Sequence, residues 1–413
     1  MKKQQLLFTA FTLAGAMAAL AQEKPQQETA GMAKETAIIE SVNLFSATPA
    51  TLDELRAYAA TRGDAAKGEN KIKNIRRLWR DDVAENFYLE GCLTAVMKAA
   101  GGNPRFDYPF FLALCGGFFT QTYSHTDGAE DRTAGFTTVF MPGLVKHVLN
   151  ECGYACHFID PATIREHPGL VMDVVKTAVD KGIPVIAKGI GNAQIGDTVH
   201  ESLREWCNIG GYGENNTLWV NVYIDKIPTD ENGYIEIKDG LGKSQGLFVL
   251  GEKTAEPEVG GIVKRAIQRI PLFVTMPDQQ GFSFGQKAFY DWAEMLEDEG
   301  MDVGEAQGRN FASSVVQLTI AHYFRTHYNN LAMAAPDFEL AQKVGDVFMK
   351  MQRVPKPKAT GMFGMFASHE DMANPEFRRA QAQWARAVGG LHDELLALFK
   401  ENNGGKNKEN DKW

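Results

Sequence analysis

Cys92 opens an apolar run with helical spacing, Leu93, Val96, Met97 and Ala100, behind the acidic and aromatic lead-in ENFYLEG at 85–91. A thiol at the first turn of a helix lies where unpaired backbone N–H groups and the positive end of the helix dipole favour a thiolate. The chemistry on offer is nucleophilic. Asn86, six residues upstream, brings an amide that could polarise a carbonyl. Glu90 works the other way, because a nearby carboxylate disfavours a thiolate. The competing reading is a packed core cysteine, the commoner fate of a thiol on an apolar helix.

Other chemical patterns carry less. Gly189 and Gly191 in KGIGNAQIG follow a strand, but the third glycine of G-x-G-x-x-G falls on Gln194, so no dinucleotide loop is expected. His322 and His327 are five apart and point to different helix faces, and no H-E-x-x-H occurs. No metal set, no cofactor and no serine nucleophile elbow are expected.

These residues need a frame. Lys2 and Lys3, the apolar stretch Leu6–Leu20 and the small-x-small ending at Ala21 form a signal peptide, 1–21, cut after Ala21. The expected location is periplasmic or secreted, with no membrane span in the mature chain. Net charge is −9, and −11 once the two lysines leave, which argues against nucleic acid as a partner. Hydrophobic content of 44% suffices for a sizeable core. The five cysteines, an odd and irregularly spaced set, make no disulfide framework.

After a linker or arm at 22–50, the patterning runs helices, then strands, then helices only from Val263 onward. Thr51–Thr61, Tyr108–Phe119, Pro142–Asn150 and Gly169–Lys181 read as helices. Tyr154–Ile159, Val185–Lys188, Trp206–Tyr212, Leu218–Ile224 and Leu247–Leu250 read as strands. The fold class is α+β: N-terminal helices packed on an antiparallel sheet at 51–255, an appended helical domain at 256–400, and a disordered tail at 401–413.

The succession LEGCLTAVMKAAG, YPFFLALCGGFF, GYACHFID, DKGIPVIAKGI and EWCNIGGYGENNTLWV resembles the papain-like C39 peptidase group, and within it the N-terminal domain of butirosin biosynthesis protein H and related bacterial proteins. The likeness covers roughly residues 80–300. It implies that Cys92 is the nucleophile and that Asn86 and the Cys92 N–H make an oxyanion hole. It also implies a base histidine at the start of the strand before Gly211-Tyr212. That place holds Glu205 or Trp206; the nearest histidine is His200, a base if its loop folds back. Asn221 on the next strand would orient the base.

Two functions follow from the resemblance. One is a thiol-dependent acyltransferase or amide hydrolase acting through Cys92 on a peptide or acyl substrate. The other is a non-catalytic papain-like domain in the cell envelope, holding a peptide or small amine-bearing ligand with Glu205 and the aromatic walls Trp206 and Tyr212.

Overall fold

The computed structural model describes residues 43–410, apart from 64–67, 77, 79–86, 126–135, 196–197, 223–229 and 337. The expected signal peptide and most of the expected linker lie outside the described residues.

Helix α1 (Leu52–Ala60) starts at a capping box, Thr51 with Glu54. After the short strand β1 (Asn70–Lys71) come α2 (Tyr88–Ala99) and α3 (Tyr108–Leu114), the latter capped by the Asp107 side chain with Pro109 in its first turn. The expected continuation of α3 to Phe119 ends early, because Gly116 turns the chain at φ +82. A short strand β2 (Thr122–Ser124) precedes α4 (Pro142–Glu151), β3 (Tyr154–Ile159), α5 (Pro161–Glu166) and α6 (Pro168–Asp180).

The strands β4 (Val185–Ile195) and β5 (Thr198–Tyr212) form a long hairpin, followed by β6 (Thr217–Asn221), β7 (Tyr234–Lys238) and β8 (Gly246–Lys253). The main sheet has the order β1-β5-β6-β7-β4-β8-β3, and every recorded pairing is antiparallel. It also closes on itself, since β4 pairs with β5 and touches β7 at Ala193–Ile237. Residues 188–195 of KGIGNAQIG are thus part of a strand, and Gly196 lies outside the described residues. The rest is helical: α7 (Val259–Gln268), α8 (Ile270–Val274), the strand β9 (Phe282–Phe284) paired with β2, then α9 (Gly285–Glu297), α10 (Val303–Ala332), α11 (Glu339–Arg353), α12 (His369–Ala373) and α13 (Pro375–Asn410). The fold is mixed helix and antiparallel sheet, α+β. Among the described residues no helix is long and apolar enough to cross a membrane.

Two cores flank the sheet. One gathers α1 and α6 (Leu55, Val171, Val175) against Cys207, Ile209 and Tyr212. The other gathers α2 and α3 with Trp206, and it continues without a break into Ile262, Phe273, Trp292, Phe324 and Phe399 of the later helices. Tyr108 and Tyr323, with ring centroids 5.4 Å apart, are one of the contacts across that continuity. Helix α13 runs through Asn410, into the stretch expected to be a disordered tail. No proline after Pro375 removes a donor, and extending an existing helix carries no nucleation cost.

Candidate functional site

Helix α2 begins four residues before Cys92, at Tyr88. The orphan N–H groups of a helix start belong to its cap and first three residues. Here those are residues 87–90. The N–H of Cys92 instead faces the Tyr88 carbonyl in the regular i→i−4 ladder. Gly91 does not break the helix, so the favourable position expected for the thiol is occupied by Tyr88-Leu89-Glu90.

Cys92 is completely buried. Burial, then the neighbouring Cys207 thiol and the Glu90 carboxyl, push its pKa well above the usual thiol range, with Arg76 and Lys188 opposing. All five cysteines are free and buried. Asn208 of β5 donates its side-chain amide to the Cys92 carbonyl at 3.4 Å, so α2 does pack on the strand that carries Glu205 and Trp206.

The same strand is tied to Glu90, near the start of the Cys92 helix. Trp206 is 1% exposed, and its indole N–H donates to the Thr137 carbonyl at 2.6 Å. The Thr137 hydroxyl donates to Glu90 Oε2 at 3.0 Å. Burial pushes the Glu90 carboxyl up to about 8, although its hydrogen bonds oppose this. A buried acid, a threonine and an indole are thus linked at the start of the Cys92 helix, and the Asn208 amide holds its backbone.

The other expected site residues are dispersed. Glu205 sits 3.7 Å from Lys188 Nζ, a lysine whose side chain is only 5% exposed, so its carboxylate already faces a cation. Tyr212 belongs to the opposite core from Trp206, because an irregularity in the β5–β6 register between Ile209 and Gly211 shifts the alternation of faces. Its hydroxyl donates to Asp180 at 2.7 Å and accepts from Arg62 at 2.8 Å. Asn221 holds backbone, accepting from Leu78 N–H and donating to the Arg76 carbonyl.

The backbone of His200 lies in β5 opposite Ala193, eight positions before Asn208. At about 3.3 Å per residue that is roughly 26 Å along the strand. The segment pairs as a hairpin and does not fold back toward Cys92. Asn86 lies outside the described residues.

Reading the sequence missed several groups. Gly281-Phe282-Ser283-Phe284-Gly285 fits G-x-S-x-G, a spacing the expectation of no serine elbow passed over. Ser283 nevertheless sits inside β9, paired with Tyr123 and 0% exposed, which is a packed strand residue and not an elbow. Asp107 and His327 were also missed. They line a pocket of about 300 Å³ with Arg105, Asn330, Phe110 and Val263, between the start of α3, helix α7 and the end of α10. Burial raises the Asp107 pKa, opposed by the Phe110 N–H it caps and by His327. Burial lowers that of His327. The Asp107–Tyr108–Pro109 cap was visible in the sequence; its meeting with His327, far along the chain, was not.

Compared with known proteins, the chain matches no family model and no curated protein.

Proposed function

We propose that this chain is an exported, non-catalytic binding protein of papain-like layout that takes a small amine-bearing ligand. The layout reading is supported by the order of elements and by the packing of the Cys92 helix on β5. The observation that carries the loss of catalysis is the state of Cys92: wholly buried, held as a thiol and internal to its helix.

A ligand pocket fits elsewhere on the same core. The cavity of about 300 Å³ combines an apolar floor, Phe110, Val263 and Leu331, with Asp107, His327 and Asn330 at its walls. That is the pattern of a small-molecule site, with a few polar groups fixing orientation. Asp107 takes the role first expected of Glu205, whose carboxylate is engaged by Lys188. Its one cap bond from Phe110 N–H, to Oδ1 at 3.0 Å, leaves acceptor capacity for an ammonium group.

Two measurements test this. Iodoacetamide near neutral pH should leave Cys92 unmodified in the folded protein and modify it after denaturation; rapid native labelling would restore thiol chemistry as the better reading. Short alkylamines should bind in calorimetry while their N-acetyl counterparts do not, and Asp107→Asn should abolish the difference. Asparagine is as good a helix cap, so α3 is retained. Equal binding of amine and amide would refute the pocket assignment.

A further inference from the structure

Among the described residues, His125, Asp278 and Asp291 bring one imidazole and two carboxylates together, with all three ligand atoms within 4.8 Å of one another. His125 follows β2, Asp278 precedes the turn into β9, and Asp291 lies in the second turn of α9. His125 Nε2 and Asp291 Oδ2 are 3.3 Å apart. Ligands bound to one ion at about 2.0–2.2 Å stand roughly 3–4 Å from each other, so the trio needs a contraction of no more than about 1–2 Å. The sequence patterns for metals missed it because the three residues come from distant segments.

The charge balance favours a stronger cation than the one present. Lys287 Nζ reaches both carboxylates, Asp278 at 3.0 Å and Asp291 at 2.6 Å. One ammonium thus faces two carboxylates. The Lys287 side chain is half exposed, at 51%, and its four-carbon stem can rotate into solvent. A divalent ion would match the charge of both carboxylates and could coordinate the imidazole lone pair at the same time. His125, at 39%, and Asp278, at 47%, leave an entry path and room for water on the ion.

The supporting backbone is fixed. The His125 N–H donates to the Gly281 carbonyl at 2.8 Å, and Ser124 pairs with Phe282 across β2–β9. The Tyr123 ring meets the imidazole edge-on at 5.1 Å. Gly285, at φ +56, turns β9 into the helix that carries Asp291; a Cβ there would come 2.1 Å from the Val274 carbonyl. Ligands held on such paired elements keep their geometry better than ligands on a free loop.

We propose that His125, Asp278 and Asp291 bind a divalent transition cation, Zn²⁺ or Mn²⁺, with Lys287 as an internal counter-ion that the metal displaces. One imidazole and two carboxylates suit these borderline and hard ions, and three protein ligands leave positions for water. The site is separate from the Asp107 pocket and stands whether or not that pocket binds amines.

Calorimetric titration of the purified protein with Zn²⁺ and Mn²⁺ near pH 7.5 should give one ion per chain. His125→Ala and Asp278→Asn should each weaken binding by at least about tenfold. Lys287→Met should tighten it, because the competing ammonium is removed. Circular dichroism checks that each variant folds. Co²⁺ supplies an independent readout: visible d–d bands without thiolate charge transfer are expected. Absence of binding, binding unchanged by His125→Ala, binding weakened by Lys287→Met, or a thiolate–cobalt band pointing to a cysteine would each overturn the assignment.

Discussion

The Thr137 hydroxyl donates to Glu90 Oε2 at 3.0 Å, while the Thr137 carbonyl takes the Trp206 indole N–H. One residue thus ties the acid beside Cys92 to the strand opposite. Glu90 Oε1 is buried without a hydrogen-bond partner, which suits a neutral acid better than a carboxylate.

Glu90 should therefore shape the pH dependence of stability. Burial holds its folded pKa at about 8, whereas the unfolded group titrates near the ordinary 4.5. Between those values the unfolded state binds fewer protons, so stability falls as pH rises from about 4.5 to about 8 and is level above that. Glu90→Gln keeps an acceptor for Thr137 and removes the titration. Unfolding free energies from denaturant titrations at pH 5.5 and pH 8 should differ less in the variant, by on the order of 3 kcal/mol. Identical slopes in the two proteins would show that Glu90 is not the titrating group.

The parts of this fold that were legible are those with local signals. Tyr154–Ile159 is a strand with the expected bounds, and the capping pair Thr51 and Glu54 marks the first helix. The β4–β5 hairpin was half hidden, because the expected strand Val185–Lys188 stops before Gly189 and Gly191, while the structure carries both along a paired strand. Tyr234–Lys238, directly after the turn sequence Asp230-Glu231-Asn232-Gly233, was missed. The site was harder still. The face on which Tyr212 lies depends on an irregularity near Gly210, and the packing of the Cys92 helix depends on Asn208 and its strand arriving from a distant segment. Periodicity along one segment cannot carry either fact.

Glu151 fastens α4 to α7 and α8. Arg265 Nε donates to its Oε1 at 2.8 Å and Arg269 Nη2 to its Oε2 at 2.6 Å. Burial would raise the carboxyl, but the His147 and Arg265 hydrogen bonds and the charge of Arg269 outweigh it and hold the pKa at about 2. Arg269 is 1% exposed, and two of its nitrogens already lack partners, so Glu151→Ala would strand a buried guanidinium. The expected loss is about 3–5 kcal/mol. The sign with pH is opposite to that of Glu90: this stabilisation is complete above the unfolded pKa near 4.5 and fades as pH falls toward 2. Chemical denaturation at pH 7 and pH 3 checks both points. A variant as stable as the parent at pH 7 would show that the pair gains nothing over its desolvation cost.

Lys356 presents the reverse case, a buried cation without a hydrogen-bond partner. Its Nζ is shielded from solvent and lies 5.0 Å from the centroid of the Trp384 ring, while part of its stem remains accessible. Burial pushes the ammonium pKa down to about 8, against about 10.5 when unfolded. Between those values the unfolded state binds more protons, so stability rises as pH climbs through that window, and the full penalty is present below pH 8. Lys356→Met preserves an unbranched stem and a favourable contact with the indole ring. It should stabilise the protein at pH 7 by about 1–3 kcal/mol, with the gain shrinking toward pH 10. If the methionine variant is instead less stable at pH 7, attraction between the ammonium and the Trp384 face outweighs desolvation, and this lysine is a stabilising element of the α11–α13 packing.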